Sequence, residues 1–251
     1  MSKPRRTTPL RRSCGHPHEC PLELRLRVLS EVPMFAGMEE HLRDIDARMV
    51  ARGWAGGDYL YLEGDRADAL HILAAGRVKV HRTNPEGGET VLDILGPGDL
   101  FGGVDSLGVP THPESVVALE TTCTLRITGA DFRQLLTDYP EVALRAFTEV
   151  SAQLRDSRGA FHAATGTVSQ RVAHALLRLA AKFGEPREGG LLIQTPLSRA
   201  DLAAMTASTT ESVSRVMSGL ARSGVIQTGR QWTIILDEQH LRDLSGQISG
   251  H

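Results

Sequence analysis

The stretch LSRADLAAMTASTTESVSRVMSGLARSG, residues 197–224, has the pattern of two short helices joined by a tight turn. Ser198 with Asp201 three residues later forms a capping-box pattern, which predicts that the first helix begins there. Ser208 with Glu211 predicts the start of the second helix in the same way. The stretch therefore predicts a helix-turn-helix, a motif that places its second helix in the major groove of DNA.

The second helix of this stretch has one apolar stripe and one polar side. Its apolar residues recur at helical spacing, so the stripe is predicted to be buried, and Gly224 is predicted to end the helix. The stripe residues are Val213, Val216, Met217 and Leu220. Glu211, Ser214 and Arg215 lie off the stripe in the first turns, which a helix-turn-helix presents to base edges. The alternative is a generic helical pair whose polar side is solvated.

Residues 53–128 have the pattern of a β-rich domain. Short runs of β-forming residues alternate with turns, and several short strands at such spacing predict an antiparallel sandwich or roll. The glycines between the runs predict tight turns with positive φ. They are Gly57, Gly64, Gly76, Gly98 and Gly102.

Helical patterns flank the β-rich region. Residues 22–32 and 38–51 predict two short helices before it, and residues 141–164 predict one long helix after it. The long helix has an approximate heptad seam, which consists of Leu144, Phe147, Val150 or Ser151, Leu154 and Phe161. A seam of this length predicts burial against a second copy of the helix in a parallel homodimer. The alternative is packing on the chain's own β-rich domain.

The C-terminal region completes a second domain. A helix is predicted over 168–183, a loop over 184–190 and a short strand over 191–193. Residues 225–227 and 232–235 flank a turn and predict a β-hairpin wing. The predicted fold class is therefore α+β, with an N-terminal antiparallel β-roll or jelly roll, a long dimerisation helix and a C-terminal winged helix-turn-helix.

These motifs together resemble the CRP/FNR family of bacterial transcription regulators. Glycine turns stand at 57–58, 63–65, 76–78 and 98–102, where the family's cyclic-nucleotide-binding-like jelly roll has them. The resemblance covers most of the chain and implies a homodimer that binds double-stranded DNA and acts with RNA polymerase. The implied domains are a flexible basic tail with a Cys/His segment over 1–21, a β-roll sensory domain over 22–137, a dimerisation helix over 138–164 and a winged helix-turn-helix over 165–251.

The second helix of the motif resembles the FNR branch of this family. Its Glu-x-x-Ser-Arg pattern matches that branch, and Thr210 stands where cAMP-receptor-like members carry arginine. The resemblance implies DNA sites of the form TTGAT-N4-ATCAA rather than TGTGA half-sites. Arginine pairs with guanine and glutamate accepts from cytosine, which suits Arg215 and Glu211. The predicted DNA-binding residues are Thr209, Thr210, Glu211, Ser212, Ser214 and Arg215, with Ser208, Arg199 and Arg230; Ser169, Gln170 and Thr195 are further candidates for phosphate contacts.

The resemblance also disfavours cyclic AMP as a ligand. The cAMP-binding members have a glutamate for the ribose and an Arg-Ser or Arg-Thr pair for the phosphate. Gly103 stands at the glutamate position, and Glu114 precedes Ser115 at the phosphate position. A carboxylate at the phosphate position would repel the ligand.

The segment CGHPHEC brings four metal-binding side chains within seven positions, Cys14, His16, His18 and Cys20. FNR-like regulators hold an oxygen-labile [4Fe–4S] cluster with three N-terminal cysteines and one cysteine in the β-roll, and Cys123 matches the β-roll position. This chain has two N-terminal cysteines. The resemblance therefore implies His16 or His18 as the fourth ligand, since histidine replaces cysteine at some iron centres.

Other sensory chemistries stay open for the same residues. Zn²⁺ takes cysteine and histidine ligands tetrahedrally, so Cys14, Cys20, Cys123 and one histidine could form a structural zinc site. A disulfide from Cys14 or Cys20 to Cys123 would make a thiol switch. Haem with one of the N-terminal histidines or His71 as axial ligand would make a gas sensor. Without any cofactor, Cys123 is only a buried strand residue.

Composition and charge exclude several classes of protein. The formal net charge is −2, but residues 165–251 carry nine basic and seven acidic side chains, which suits a domain that meets a phosphate backbone. No apolar run reaches the roughly 18 residues of a membrane span, and no apolar segment typical of a signal peptide follows the basic N-terminus. Three cysteines argue against a secreted disulfide scaffold. Because no nucleophile elbow or phosphate loop is present, the sequence predicts a cytoplasmic regulator and not an enzyme.

Overall fold

A computed structural model describes residues 20–84, 87–104, 108, 110–163, 166–229 and 231–246. The chain divides into two compact units, Met1–Arg82 with Asp93–Leu154 and Thr83–Leu92 with Arg155–His251. The predicted α+β class is confirmed, with antiparallel sheets of jelly-roll type toward the N-terminus and a winged helix-turn-helix toward the C-terminus. Among the described residues, every helix is too short or too polar to cross a membrane.

The N-terminal part runs from helices through strands to further helices. Its helices are α1 (Leu22–Glu31), α2 (Leu42–Ala47), α3 (Gly129–Asp138) and α4 (Pro140–Ala163), with a 3-10 turn at Pro33–Phe35. Its strands are β1 (Val50–Trp54), β2 (Tyr59–Tyr61), β3 (Asp68–Ala75), β4 (Val78–Thr83), β5 (Glu89–Leu95), β6 (Leu100–Val104), β7 (Ser115–Ala118) and β8 (Thr122–Thr128). They form two sheets with the strand orders β1-β8-β3-β6 and β2-β7-β4-β5.

Strand β8 separates two environments, because side chains alternate between the two faces of a strand. Cys123, Leu125 and Ile127 join the buried cluster that includes apolar residues of α1, α2 and α3. Thr124 lies on the other face, where its hydroxyl accepts a hydrogen bond from Trp54 Nε1 at 3.1 Å. Pairing with β1 on one side and β3 on the other fixes this alternation.

The helix predicted over 38–51 is shorter in the structure. It is restricted to Leu42–Ala47, and Val50 already pairs with Arg126 in the sheet. The apolar residues that suggested one helix belong to a short helix and a strand end that pack into the same core. Tertiary pairing with β8 therefore overrides the local helical pattern.

The C-terminal part is a winged helix-turn-helix, as predicted. Its elements are α5 (Val168–Phe183), β9 (Gly184–Arg187), β10 (Gly190–Gln194), α6 (Arg199–Met205), α7 (Thr210–Arg222), β11 (Ile226–Gly229), β12 (Trp232–Ile235) and α8 (Glu238–Ser245). The sheet has the order β11-β12-β10-β9. The loop predicted over 184–190 is wrong in its first half, because β9 pairs with β10 in a hairpin and forms one edge of the sheet.

The five turn glycines predicted to have positive φ are confirmed, with φ between 83° and 98°. Two of them differ in the space around the missing Cβ. A Cβ at Gly76 would lie 2.4 Å from the Thr121 carbonyl oxygen and 2.8 Å from Thr122 Cα. A Cβ at Gly98 would meet nothing within 4 Å. Gly76 is therefore required for both its backbone conformation and its close approach to the β7–β8 turn.

We predict that Gly76→Ala destabilises the protein more than Gly98→Ala. Both changes place an L-residue in the left-handed region, which costs about 1–2 kcal/mol. Only alanine at position 76 also collides with backbone atoms, so we expect its free energy of unfolding to fall by about 3 kcal/mol. Urea denaturation followed by tryptophan fluorescence measures both variants. Equal losses would contradict the close approach at Gly76.

Candidate functional site

Polar caps start both helices of the helix-turn-helix. At α6 the capping box is present as predicted: the Ser198 hydroxyl accepts from Asp201 N at 3.0 Å, and Asp201 Oδ2 accepts from Ser198 N at 2.9 Å. Helix α7 begins one residue later than predicted, because its cap is Thr209, whose hydroxyl accepts from Ser212 N at 3.2 Å. The Ser208 hydroxyl instead donates to a carbonyl oxygen of the turn.

Helix α7 buries its apolar stripe and turns its polar side outward. Of the four stripe residues, Val213, Met217 and Leu220 are buried, as predicted, whereas Val216 is only half-buried. On the polar side, Glu211 and Arg215 are 82% and 75% exposed, and Arg215 donates to Glu211 Oε1 at 2.7 Å. An ion pair this exposed contributes little stability, so exchanging it for contacts with bases costs little.

The other polar residues at the starts of the two helices differ in exposure. Thr210 is exposed, and Ser212 and Ser214 are half-buried along α7. Arg199, the first residue of α6, is half-buried, and burial lowers its pKa. Among the predicted DNA contacts on α7, Thr210, Glu211 and Arg215 are therefore the most accessible.

Three of the predicted DNA or phosphate contacts differ from those on α7: one belongs to the capping box of another helix, one is buried and one lies outside the described residues. The Gln170 side chain accepts from Thr167 N at 2.7 Å in the capping box of α5. Thr195 is buried and presents no surface to a phosphate. Arg230 lies outside the described part of the chain.

Arg171 of α5 holds the turn between α6 and α7. Its Nε donates to the Thr206 carbonyl at 2.6 Å, and a terminal nitrogen donates to the Ser208 hydroxyl at 2.9 Å. The other terminal nitrogen donates to the Gly166 carbonyl at 2.5 Å. Ala207, within the turn, has a φ of 46°, which residues other than glycine rarely adopt. The guanidinium therefore fixes the conformation from which α7 departs, a role that sequence analysis missed because the partners lie 35 to 37 positions away.

We predict that Arg171→Met weakens DNA binding although the side chains predicted to read DNA are unchanged. The substitution leaves polar groups of the turn without a charged donor, at a cost of about 2–3 kcal/mol to the stability of the C-terminal part. Arg178→Met is the matched control, because it removes the same charge from an exposed position of the same helix. Fluorescence anisotropy with target DNA should show a loss of at least about tenfold for Arg171→Met only. Equal effects of the two variants would contradict the positioning role.

The middle of α4 exposes an apolar strip. Leu144, Phe147 and Val150 are 72%, 74% and 62% exposed. These side chains do not pack on the chain's own β-roll, which was the alternative to a dimer seam. Contiguous exposed apolar residues typically mark interaction surfaces. The side chains of Leu154 and Phe161, which complete the predicted seam, lie outside the described residues.

Cys20 and Cys123 meet in the N-terminal core. Both are buried, and neither forms a disulfide. The Cys123 thiol donates a hydrogen bond to the Cys20 sulfur, which lowers the pKa of Cys20; burial opposes this shift, Arg25 supports it and Asp46 opposes it. Asp46 Oδ1 accepts from Arg25 Nε at 2.7 Å, which keeps the guanidinium beside the thiols. The pair thus combines two adjacent soft donors with a neighbouring cation.

The remaining predicted cofactor ligands are Cys14, His16 and His18, which lie outside the described residues. Within the described part of the chain, no three cysteine, histidine, aspartate or glutamate side chains come together as a metal-binding group. His71, the further candidate for haem, is buried in the roll interior. The structure therefore brings together two of the predicted ligands, Cys20 and Cys123.

The positions of the family's cyclic-nucleotide contacts carry no cation here. Gly103 is buried in β6 and has no side chain to offer a ribose. The Ser115 hydroxyl accepts from Glu63 N at 2.9 Å. Glu114 is half-buried, and burial raises its pKa, against an opposite effect of Arg82.

Comparison with known proteins identifies both parts of the chain. The family description "Cyclic nucleotide-binding domain" matches residues 52–139, and "Crp-like helix-turn-helix domain" matches residues 170–244. The cyclic AMP receptor protein of Thermus thermophilus is 32% identical over 200 residues, which cover 78% of this chain and 89% of that protein. The transcriptional activator protein Anr of Pseudomonas protegens is 25% identical over 222 residues, which cover 86% and 91%.

Solved structures show the same architecture. FixK2 from Bradyrhizobium japonicum superposes with a TM-score of 0.72, covering 80% of this chain and 99% of that chain. Its sequence identity is 21%, so this similarity concerns the fold alone.

Proposed function

The chain belongs to the CRP/FNR family of DNA-binding transcription regulators, which are not enzymes, and we propose that it is an FNR-type member that reads TTGAT-N4-ATCAA sites. The observation that carries the proposal is the outward-facing pair of Glu211 and Arg215 on α7. Arginine donates to guanine O6 and N7, and glutamate accepts from cytosine N4. The pair thus has the groups to read the one G·C base pair of a TTGAT half-site from both of its strands.

Thr210 supports the same half-site. It is the exposed first residue of α7, next to Glu211. A threonine methyl group can contact the methyl group of thymine, whereas arginine at this position would select guanine. The proposal therefore favours thymine at the first position of TTGAT, where a TGTGA half-site has its first guanine.

We predict that Arg215→Ala weakens binding to a TTGAT-N4-ATCAA duplex by about 1–3 kcal/mol and relaxes preference for the G·C pair. The control is Arg222→Ala, which removes an exposed arginine from the last turn of the same helix. Both variants are titrated against this duplex and against one in which the G·C pairs are replaced by A·T. Unchanged binding and preference in Arg215→Ala would refute the assignment.

We propose that the apolar strip of α4 pairs with the same strip of a second copy. Phe147 lies three positions after Leu144, and Ser151 lies four positions after Phe147, the spacing at which residues line a coiled-coil seam. Members of a two-fold dimer can place two recognition helices on the two halves of a palindromic site. RNA polymerase is the further partner that we propose for the DNA-bound dimer.

We predict that Phe147→Glu makes the protein monomeric, because it places a charge in an apolar seam. Thr137→Glu adds the same charge to an exposed position of α3 and should leave the dimer intact. Sedimentation velocity at micromolar concentration distinguishes the two states. A dimer of unchanged stability in Phe147→Glu would contradict the proposed seam.

We also propose that Cys20 and Cys123 are ligands of an iron–sulfur cluster, with Cys14 and either His16 or His18 as the other ligands. The thiols of Cys20 and Cys123 are buried and adjacent, and Arg25 lies near them. This arrangement fits the role, since thiolates are the ligands of such clusters. A bound [4Fe–4S] cluster supplies the sensitivity to oxygen, nitric oxide or redox state. Cys20 precedes α1 and Cys123 lies on β8, so ligation through both joins the N-terminal segment to the sheet.

The direct contact of the two thiols favours a second candidate, a thiol switch. Oxidation of Cys20 and Cys123 forms one S–S bond and releases two protons and two electrons to an oxidant such as a hydroperoxide. The lowered pKa of Cys20 favours attack by its thiolate. The same thiols with a histidine also suit Zn²⁺.

We propose that cyclic AMP is not the effector. No cation stands at position 114 to meet the phosphate, and no carboxylate stands at position 103 to meet the ribose. The half-buried Glu114 also opposes an anion at this place.

We predict that protein purified without oxygen contains about four iron and four sulfide ions per chain, as a [4Fe–4S] cluster requires. Cys20→Ala and Cys123→Ala should both lose the iron and the broad violet-blue absorption, while circular dichroism shows them folded. Zinc without iron would support the zinc site, and a metal-free protein that forms a Cys20–Cys123 disulfide would support the thiol switch. Unaltered iron in Cys20→Ala would contradict the proposed ligand.

A further inference from the structure

One end of the β-roll interior contains a cavity of about 500 Å³ with an aromatic floor. Trp54, Tyr61, His71 and His112 line it and are buried. Tyr61 and His112 stack with ring centroids 3.6 Å apart and an angle of 10° between the planes. Trp54 is held by its hydrogen bond to Thr124. The floor is therefore a set of flat rings in fixed positions, suited to another flat ring.

The rim of this cavity is rich in arginine. Arg52, Arg66 and Arg126 line it together with Asp65 and Asp68, so guanidinium groups outnumber carboxylates by one. Arg126 pairs with Asp68 at 3.0 Å, and Asp65 accepts a backbone N–H of its own turn at 2.8 Å. The excess of one guanidinium gives the rim a net positive charge, which favours an anion.

His71 has a buried polar atom that forms no hydrogen bond with the described residues. Its Nδ1 is buried and has no hydrogen-bond partner among the described residues. The pKa of His71 is lowered to about 3, mainly by burial, with smaller lowering effects of Arg126, His112 and Arg52 and an opposite effect of Asp68. The imidazole is therefore neutral, in a positive field, and a ligand in the cavity could supply the missing partner.

A second groove continues from the same rim. It shares Arg66, Asp68 and Arg126 with the cavity and extends to Arg133 and the start of α3. Helix α3 has ten residues, and its N-terminus adds partial positive charge at this edge. Arg66, Arg126 and Arg133 therefore extend the arginine-rich edge of the cavity to α3.

We propose that this cavity binds a small organic anion that consists of a flat aromatic ring and a carboxylate or phosphate group. The ring packs on Tyr61 and its neighbours, and the anionic group accepts hydrogen bonds from Arg52 and Arg66 at the rim. Neither Gly103 nor Glu114, which stand at the family's cyclic-nucleotide positions, lines the cavity. The proposal does not depend on the cofactor held by the cysteines.

Calorimetric titration of the full-length protein with four probes tests the two halves of the ligand. Benzoate and phenyl phosphate carry both a ring and an anion, acetate lacks the ring, and benzyl alcohol lacks the charge. We expect at least one aromatic anion to bind once per chain, at least about tenfold more tightly than acetate or benzyl alcohol. The tighter of the two aromatic anions identifies the anionic group.

Substitutions at the rim place the binding in this cavity. Arg52→Gln and Arg66→Gln alter exposed side chains, and each should weaken the aromatic anion at least about tenfold. Arg43→Gln removes an exposed arginine of α2, outside the cavity, and should leave the affinity unchanged. Absence of binding by both aromatic anions, equal binding of acetate, or unchanged affinity in both rim variants would overturn the proposal.

Discussion

The hydrogen bonds of the Arg171 guanidinium are the interaction on which the proposed DNA-reading surface depends. The guanidinium joins α5 to the turn before α7 through hydrogen bonds to Thr206 and Ser208, and it does so where Ala207 has a left-handed backbone. Burial of the α7 stripe then determines the rotation of this helix about its own axis. Together, these two constraints leave Glu211 and Arg215 on the outside.

In the N-terminal part, β8 has a comparable organising role. One of its faces places Cys123 beside Cys20, and the other places Arg126 on the rim of the aromatic cavity. The strand leads directly into α3, and α3 leads into α4 with its exposed apolar strip. A conformational change at either face of β8 can therefore reach the proposed dimer surface through α3 and α4, which follow β8 directly in the chain. Any ligand acts along this route only through its different affinity for two conformations.

Local patterns predicted much of this architecture. The Ser198–Asp201 cap and the apolar stripe of α7 could be predicted from the sequence, because each depends on residues close together along one helix. Local patterns gave the wrong secondary structure where pairing with a distant strand determines it. Val50, for example, pairs with β8 instead of extending the predicted helix. The cap of α7 is Thr209 and not the predicted Ser208, whose hydroxyl instead accepts a hydrogen bond from Arg171 of another helix. The contact of Cys20 with Cys123 was one open alternative, whereas the arginine-rimmed cavity had no signal in the sequence.

The central claim is that α7 reads an FNR-type site, and selection of DNA from a random library by the purified dimer tests it most directly. Because Thr210, Glu211 and Arg215 are proposed to provide the base-reading groups, the account predicts enrichment of TTGAT and ATCAA half-sites separated by four base pairs. Enrichment of TGTGA half-sites, or of no common sequence, would contradict it.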